Sequence, residues 1–382
     1  MEIEKILSTY LVKMAKGILH PTFDVLKNTG RTSAFGDISS QNLPRDGRIR
    51  NLIIPSPGHV FIDADYSAVE MVTLAQASLS QFGGRSEMVK AINAGIDLHR
   101  LVASRLTGMP EEEITPDERQ KAKAVNFGLP GGMGIKSLRQ YAQNNFEAEL
   151  TEIEAKAFYD VWFDTFPEMT YFLKESENAV NPGIEMMNLL TITEAGYAQA
   201  TGQHFLPDMS QTGVLGWMAR NVFGKKSPVS RHGRLYDKSA CDYFWSRLDT
   251  ITDHLTEKQR KAVQNREPSE DLADTVKRLA NQKSVLTLTG RLRSHATYCA
   301  RHNTIFQGLA ADGAKLAMWK LWRNGFRIVN FVHDEFLIEV PEQVDANELV
   351  MDVERLMIEG MREVVPDVKI KVESNVGDHW KK

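Results

Sequence analysis

The sequence contains few cysteines and lacks a leading hydrophobic run. Only two cysteines, Cys241 and Cys299, occur in 382 residues, and neither belongs to a Cys-x-x-Cys or Cys/His grouping. This argues against a disulfide framework and a structural zinc site, and it fits a reducing, intracellular compartment. The N-terminal segment starts acidic and never stays apolar for long, so it resembles neither a signal peptide nor a membrane span. We therefore expect a cytoplasmic protein without a membrane partner.

The chain also has no excess of positive charge. Its formal net charge is −4, with 42% hydrophobic and 25% charged residues. A protein that coats nucleic acid through bulk electrostatics is therefore not expected, although the net charge would not reveal a local basic groove. The composition is that of an ordinary soluble globular protein. A length of 382 residues predicts two or three lobes at ~100–200 residues each.

Hydrophobic periodicity predicts both helices and short strands. Helical spacing recurs along the chain, whereas alternating or short apolar runs bounded by turn residues indicate strands. The predicted helices cover residues 3–14, 68–78, most of 87–183, 302–325 and 346–364. The predicted strands cover residues 59–67 and 368–374, with hairpins at 284–294 and 327–340. Between residues 18 and 45, short extended pieces joined by turns are expected.

Two acidic residues, Asp65 and Asp334, lie in predicted strand segments between apolar neighbours. A buried carboxylate is unfavourable unless it is paired, hydrogen-bonded or bound to metal. Each could cap a turn, which is a common role for a single aspartate in such a place. Alternatively, the two could hold Mg²⁺, since this ion takes one or two carboxylates together with substrate phosphates. A pair of such ions ~3.5–4 Å apart would suit phosphoryl transfer.

One helical stripe combines two cations with an aromatic ring. Arg119, Lys123 and Phe127 follow each other at four-residue spacing, which places them on one face of a helix. Such a stripe is usually an ordinary exposed face. The apolar Phe127 favours a different interpretation, in which a base stacks on the ring and a triphosphate lies along the two cations.

A basic stretch occupies residues 220–238, where six Lys or Arg residues are accompanied by one Asp. It could be a solvated loop, which is the commoner fate of a charge run, or a surface that contacts phosphates. The surrounding residues, 196–283, begin with weaker periodicity than the rest of the chain.

Three segments, in this order, resemble the motifs of a known family. They are DADYSAVEM at residues 63–71, RQKAKAVNFGLPGG at 119–132 and VHDEF at 332–336. TGRTS, SSQNLP, DLHR, NTIFQGLAAD and NVGDHW also resemble segments of that family. The chain thus resembles the polymerase domain of family A DNA polymerases, the group of the bacterial repair polymerase and several phage replicases. The resemblance implies an α+β fold of the right-hand type, with an antiparallel palm sheet and mostly helical fingers.

The resemblance also implies how the chain is divided. The expected parts are a remnant of the thumb helix at 1–30, palm at 31–82, fingers at 83–195, a family-atypical insertion at 196–283 and further palm at 284–382. Only 30 residues precede Arg31, so a truncated thumb and no exonuclease region are expected. The chain could be one part of a split polymerase, with a second polypeptide supplying thumb or exonuclease, or a naturally reduced or engineered fragment.

By resemblance, the function is template-directed transfer of deoxynucleotides to a primer 3′-OH. Asp65 and Asp334, with the carbonyl of Tyr66, would share two Mg²⁺ ions, which Mn²⁺ can replace. Lys123 would contact the triphosphate and protonate the departing pyrophosphate, and Glu335 would be an auxiliary acid. Primer–template DNA and dNTPs are therefore the expected partners.

The resemblance adds further residues to the nucleotide-binding set, to which Tyr66 also belongs. His99 and Arg119 would contact the triphosphate, and Phe127 would pack on the incoming sugar and base. Glu70 would fill the space that a ribose 2′-hydroxyl needs, which makes it the expected sugar gate. His99 could instead be a structural histidine.

The resemblance assigns DNA contacts to residues spread over the chain. Arg31, Asn303 and Gln307 would touch minor-groove acceptors, which are nearly the same for all base pairs. Gln41 would contact DNA and His333 the primer end, whereas Gln307 could instead cap a helix. In the insertion, the residues expected to contact duplex or a partner, and partly to replace the thumb, are Lys225, Lys226, Arg231 and Arg234.

Departures from the family pattern bear on function. Gly131 stands where family members commonly carry a tyrosine that helps to shape the templating-base pocket, and Ala68 and Val72 replace polar or basic residues. The alternative function is a catalytically idle nucleic-acid-binding or assembly subunit with the same fold, although the expected metal acids and the fingers lysine are all present. A single-subunit RNA polymerase is a further alternative, which Glu70 and Phe127 disfavour.

Overall fold

A computed structural model describes residues 17–36, 39–43, 49–82, 84–178, 255–265, 271, 275 and 283–380. Contacts within the chain divide it into two compact units. The first contains the described residues within Met1–Asn178, Leu286–Arg293 and His302–Lys382, and the second those within Ala179–Val285 and Ser294–Arg301. The predicted helix at 3–14 and the basic stretch at 220–238 lie outside the described residues.

Most described helices and strands follow the order that the sequence predicts, and the helix Glu257–Gln264 is an addition. The α-helices are α1 (Val69–Ala77), α2 (Glu87–Asn93), α3 (Leu98–Thr107), α4 (Pro116–Gly128), α5 (Ile135–Phe146), α6 (Glu152–Thr165), α7 (Glu168–Asn178), α8 (Glu257–Gln264), α9 (Tyr298–Arg323) and α10 (Ala346–Arg362). The strands are β1 (Pro21–Asp24), β2 (Ser33–Gly36), β3 (His59–Tyr66), β4 (Lys283–Leu286), β5 (Leu292–Ala296), β6 (Arg327–Val332), β7 (Glu335–Pro341) and β8 (Val372–Gly377). Within this described part, no helix is both long and apolar enough to cross a membrane.

Four antiparallel strands form the main sheet, in the order β6-β7-β3-β8. The β3–β7 register pairs Phe61 with Glu339 and Asp65 with Glu335. On its other side, β3 pairs Asp65 with Glu373 of β8. Because side chains alternate between the two faces of a strand, Asp65 shares its face with both of its glutamate partners. The predicted hairpin at 327–340 is confirmed as the β6–β7 pair.

The edge strand β6 contains one irregularity. Ile328 pairs with Ile338, but Asn330 pairs with Leu337, so Val329 is an extra residue opposite β7. An extra residue of this kind bends its strand and shifts the alternation of side chains by one position. The pairs nearer the turn are regular again.

The two faces of the sheet are covered differently. Ile62, Ala64 and Tyr66 are buried on one face, against which α10 packs. The Tyr66 hydroxyl donates a 2.6 Å hydrogen bond to the carbonyl of Met357 in α10. On the other face lies an apolar cluster comprising Leu43, Ile49, Phe61, Val332, Leu337 and Trp380.

Trp380 completes this apolar cluster. It has no exposed surface, and its indole N–H donates a 2.5 Å hydrogen bond to Glu335 Oε1. The Arg50 guanidinium lies 4.3 Å from the centre of the indole ring and 3.5 Å from the Glu335 carboxylate. Burial of the Trp380 ring and its hydrogen bond to the buried Glu335 carboxylate both stabilise the fold. Trp380 thus links the segment after β8 to the β6–β7 hairpin.

Capping signals in the sequence explain where the helices near the site begin. At α4, the Glu118 N–H donates to the Thr115 hydroxyl at 3.3 Å, and the Thr115 N–H donates to the Glu118 carboxylate at 2.8 Å. Pro116 occupies the first turn of the same helix. Asp97 caps α3 by accepting from the N–H of His99. Because these bonds satisfy N–H groups that lack partners within the helix, they stabilise the starts of α3 and α4.

The last strand differs from the prediction. The sequence predicts a strand at 368–374, but β8 begins at Val372. The backbone N–H of Asp367 donates to Gln76 Oε1 at 3.0 Å, and that of Lys369 donates to Asn93 Oδ1 at 2.7 Å. Asn93, at the end of α2, thus occupies a donor within the predicted strand, and Gln76, near the end of α1, holds the residue just before it, so strand pairing starts later.

Candidate functional site

Asp65 and Asp334 lie at the same end of the main sheet. Asp65 pairs with Glu335 across the β3–β7 ladder, and Asp334 precedes Glu335 in the tight turn between β6 and β7. Directly opposite residues on antiparallel strands have Cα atoms ~4.5–5.5 Å apart, so the register alone brings the two aspartates close. His333 enters this turn with a φ of +61°, a left-handed conformation that is uncommon for a residue other than glycine.

The Tyr66 phenol lies within the electrostatic reach of Asp334. Burial raises the pKa of the Tyr66 phenol above its ordinary value, and the negative charge of Asp334 raises it further. The charge of Asp334 therefore acts on the residue that directly follows Asp65. The three residues predicted to hold metal come together at one end of the sheet.

Glu335 has different surroundings from its neighbour in the turn. Its side chain is only 2% exposed and accepts the hydrogen bond from the Trp380 indole. The Arg50 guanidinium lies 3.5 Å from the same carboxylate oxygen. These contacts direct the carboxylate towards the apolar cluster, and the predicted role of Glu335 as an auxiliary acid stays a prediction.

Arg119 on α4 is fixed by the residue that caps α3. Its Nε and one terminal nitrogen lie 2.9 and 2.8 Å from Asp97 Oδ2. Burial opposes ionisation of Asp97, but hydrogen bonds from Arg119 and from the N–H groups of Arg100 and His99 outweigh it and hold the pKa of the carboxyl below its ordinary value. The ionised Asp97 thus orients Arg119 across the start of α3.

His99 lies within the electrostatic reach of both helix cations. Burial lowers the pKa of its imidazole to about 4, against the opposing effect of Asp97, and the positive charges of Arg119 and Lys123 lower it further. The imidazole is therefore neutral at pH 7. Its ring centre lies 5.8 Å from that of Phe127. The structure thus brings all four predicted nucleotide-binding residues of α3 and α4 into one group.

Aromatic rings continue this group beyond Phe127. Phe146 stacks on Phe127 with ring centres 6.0 Å apart, and Tyr141 meets Phe146 edge-on at 5.6 Å. Burial raises the pKa of the Tyr141 phenol, and the charge of Glu70 raises it further. Tyr141 is therefore close to the predicted sugar gate. The sequence did not indicate this, because α5 and α1 are distant in the chain.

Arg31 and Asn303, both predicted to contact DNA, also lie beside other residues named in the sequence analysis. The Arg31 guanidinium forms an ion pair with the Glu70 carboxylate. A Cβ atom built on Gly131 would lie 3.0 Å from Asn303 Oδ1, so the absent side chain leaves room for Asn303. The Arg31–Glu70 pair therefore brings a residue assigned to DNA next to one assigned to the nucleotide. Asn303, also assigned to DNA, lies beside Gly131, the position of the family tyrosine.

Two glutamines with predicted DNA contacts have different settings. Gln41 accepts a hydrogen bond from the Ala34 N–H at 2.9 Å and donates to Thr32 Oγ1 at 2.8 Å, which connects it to the β2 segment. Gln307 is half-buried on α9. The predicted contacts of the insertion belong to residues outside the described ranges, namely Lys225, Lys226, Arg231 and Arg234.

Comparison with known proteins identifies the family. Residues 1–189 and 237–382 match the sequence model of the family described as DNA polymerase family A. The chain belongs to DNA polymerase family A. The thermostable DNA polymerase I of Thermus aquaticus is 26% identical over 99% of this family A chain, which covers 35% of that protein. DNA polymerase I of Borreliella burgdorferi is 33% identical over 47% of the chain, which covers 20% of that protein. The chain thus spans about a fifth to a third of the length of these relatives.

A solved structure resembles the chain over nearly its full length. It is described as the POL domain of Pol1 from M. smegmatis in complex with DNA primer-template and dNTP, and it gives a TM-score of 0.60 at 22% identity. The likeness covers 99% of this chain and 50% of that chain. With the helices and antiparallel sheets described above, it confirms the predicted α+β polymerase fold. The expected thumb truncation, domain bounds and partner polypeptide stay predictions.

Proposed function

We propose that this family A chain is a DNA-directed DNA polymerase. In the reaction, the primer 3′-oxygen attacks the α-phosphorus of a template-paired dNTP, and the bond to the bridging oxygen breaks to release pyrophosphate. The observation that carries the proposal is the sheet register, which aligns Asp65 with Glu335 and so sets Asp334 beside Asp65. Family membership and the group of cations on α4 support the same reaction.

The donor set at the sheet end suits Mg²⁺. Among the residues the structure describes, no group of three or more His, Cys, Asp or Glu side chains is arranged to hold a metal. Mg²⁺ usually keeps waters and substrate phosphates and takes one or two carboxylates, a number that Asp65 and Asp334 can supply. Asp65, Asp334 and the Tyr66 carbonyl would hold two ions, and Mn²⁺ can replace them. When bound, the ions would stabilise the attacking and leaving oxygens as Lewis acids.

The group on α3 and α4 is proposed to bind the dNTP. A triphosphate offers only acceptor oxygens, which Arg119, Lys123 and the neutral His99 can satisfy with N–H donors. Asp97 already engages two of the Arg119 nitrogens, so the remaining N–H groups of that guanidinium would face the phosphates. Lys123 would transfer a proton from Nζ to the departing pyrophosphate, and Phe127 would carry the sugar and base on its ring.

Glu70 is proposed to select deoxyribose. Its carboxylate is drawn towards Arg31 by an ion pair and is close to Tyr141. The ion pair limits the rotamers of the carboxylate, so it can fill the position that a ribose 2′-hydroxyl would need. In this proposal the chain discriminates against ribonucleotides, which argues for a DNA rather than an RNA polymerase.

DNA would be held through contacts that do not read sequence. Arg31, Asn303 and Gln307 are assigned to minor-groove acceptors, which change little between base pairs. His333 is assigned to the primer end, because it lies in the turn beside Asp334. The finer part of the proposal adds Gln41, a second polypeptide that supplies a thumb or exonuclease, and duplex contacts by Lys225, Lys226, Arg231 and Arg234.

Primer extension tests the proposed function. The purified chain is given a labelled primer–template, Mg²⁺ and four dNTPs, beside Asp334→Asn and the control Glu342→Gln, whose residue is exposed in the loop after β7. Loss of a metal ligand removes several kcal/mol of transition-state stabilisation, so Asp334→Asn should extend about 10³-fold more slowly or worse.

The control Glu342→Gln should match the unmodified chain. A folded chain that binds DNA without extending it would favour the idle subunit instead. Equal rates for Asp334→Asn and the unmodified chain would contradict the proposed site. Circular dichroism of each variant establishes that the fold is retained.

A further inference from the structure

Asn126 lies at the centre of a buried chain of hydrogen bonds between three helices. The side chains of Asn126 and Trp162 have no exposed surface, and that of His99 is 6% exposed. Asn126 Oδ1 accepts from Trp162 Nε1 at 2.8 Å. Its Nδ2 lies 3.2 Å from the carbonyl oxygen of Leu98 and 2.8 Å from His99 Nδ1. One amide group therefore contacts α3 and α6 from its place on α4.

The chemistry of the outer partners fixes the orientation of this amide. The indole N–H of Trp162 can only donate, so the atom facing it must be the amide oxygen. The Leu98 carbonyl can only accept, so the atom facing it must be the amide nitrogen. The nitrogen that faces His99 Nδ1 is consequently a donor, and the exchange of oxygen and nitrogen that is often possible for an asparagine is excluded.

The imidazole must therefore accept at Nδ1. A neutral imidazole has one N–H and one lone pair, so a lone pair at Nδ1 places the proton on Nε2. The charged side chains that act on this ring are Asp97 at the start of α3 and Arg119 and Lys123 on α4, and burial keeps the ring neutral at pH 7. The opposite tautomer would direct a lone pair, rather than an N–H, from Nε2.

We propose that Asn126 is a positioning residue that, braced by Trp162, holds His99 as the Nε2–H tautomer and so supplies the triphosphate with an N–H donor beside Arg119 and Lys123. The role in nucleotide binding rests on the proposed polymerase function, but the tautomer does not. With the proton on Nδ1, the lone pair of Nε2 would meet phosphate oxygens, which are acceptors, and binding would weaken.

The tautomer can be measured directly in the unmodified chain. Two-bond ¹H–¹⁵N correlation spectra of ¹⁵N-histidine-labelled protein at pH 7, with His99 assigned by His99→Gln, report which ring nitrogen carries the proton. A protonated Nε2 and an unprotonated Nδ1 are expected. A protonated Nδ1 overturns the proposal whether or not the chain has polymerase activity.

A nearly isosteric variant tests the consequence for nucleotide binding. In Asn126→Asp, the Trp162 N–H keeps an acceptor, but a carboxylate now faces His99 Nδ1, so it attracts the proton to Nδ1 and raises the pKa of the imidazole. Below that raised pKa the ring is doubly protonated and still donates from Nε2. Above it, Nε2 presents a lone pair. The dNTP KM of the variant should therefore rise about 10-fold or more as pH increases through this value, the effect of losing one hydrogen bond to a charged group.

The controls separate this mechanism from general damage. The unmodified chain and Asn145→Asp, an exposed asparagine on α5, should show no such pH-dependent rise in KM. A variant KM that is raised equally at every pH would indicate a merely structural role and overturn the proposal. If Asn126→Asp does not fold, His99→Gln and His99→Asn replace it, because an amide at the position of Nε2 should preserve dNTP affinity better than one at the position of Nδ1. Equal KM values for these two would also overturn the proposal.

If the unmodified chain extends no primer, the proposed function fails and the tautomer measurement still decides the structural part. If it extends primers and Asn126→Asp shows no pH-dependent KM, only the inference about Asn126 fails. The two failures are therefore distinguishable.

Discussion

The acidic end of the sheet and the basic group on α3 and α4 are built by different means. Asp65 is positioned by the main-chain ladder of β3 with β7, which would be the same for any side chain at this position. Arg119 and His99 are positioned by side chains, since Asp97 holds the first and Asn126 the second. Asp65 thus depends on backbone register, whereas Arg119 and His99 depend on hydrogen bonds with other side chains.

The largest expected effect would come from replacing Asp65, with a substitution of the acid paired with it on β8 as the control. Asp65→Asn should slow primer extension about 10³-fold or more, as expected for the loss of a metal ligand. Glu373→Gln changes the residue paired with Asp65 on β8, which is exposed and accepts a 2.7 Å hydrogen bond from Ser67. It should leave the rate within about 3-fold, as a surface substitution usually does.

Single-turnover rates with Mg²⁺ measure this difference between the two variants. If both variants lose activity equally, the reaction depends on the total negative charge of the paired acids. The distinction between Asp65 and its neighbour on β8 is then wrong. The comparison therefore decides whether position in the ladder or total charge matters.

A smaller effect is expected from the cations of α4. Lys123→Ala should lower kcat about 10²-fold or more, because general acid catalysis contributes typically 10²–10⁴-fold. Lys121→Ala is the matched control, since Lys121 lies on the same helix but contacts Asp117 at 3.4 Å and Glu154 at 3.3 Å. Steady-state kinetics with varied dNTP measure kcat and KM separately.

The control Lys121→Ala should change kcat little. A fall in kcat for this variant as large as that for Lys123→Ala would show that the charge of the helix, not the predicted stripe, assists the reaction. An effect of Lys123→Ala on KM alone would keep the phosphate contact and contradict the proton transfer.

The smallest expected effect concerns stability. Trp380→Phe removes the N–H that Glu335 accepts within a buried setting, and loss of such a partner costs about 1–3 kcal/mol. Trp319→Phe is the control, because Trp319 is 55% exposed and its replacement should change stability by no more than about 0.5 kcal/mol. Urea unfolding gives the free energy of unfolding of each variant. Equal losses for the two would contradict the stabilising role of Trp380.

The sequence predicts the parts of the site that depend on local patterns, but not the long-range side-chain contacts. Asp65 and Asp334 are conspicuous because carboxylates interrupt apolar strands, and Arg119, Lys123 and Phe127 follow helical spacing. Local patterns also predict the fold of these segments and, together with the resemblance, the family.

Long-range side-chain contacts could not be predicted in this way. The role of Asn126 requires Leu98 and Trp162, which lie on two other helices. The only local signal is a polar residue in the apolar run AVNFGL. Likewise, the late start of β8 depends on Gln76 and Asn93, whose side chains compete with strand pairing from a distant part of the chain.

The extra residue Val329 in β6 has a consequence for engineering the chain. The edge strand β6 pairs on one side only, with β7, and its one added residue is absorbed before the turn that carries Asp334. The central strand β3 has ladders on both sides, so inserting one residue between Phe61 and Asp65 would rotate the carboxylate towards α10. The sheet therefore accommodates an inserted residue at its edge strand β6, whereas an insertion in the central strand β3 would turn Asp65 to the opposite face.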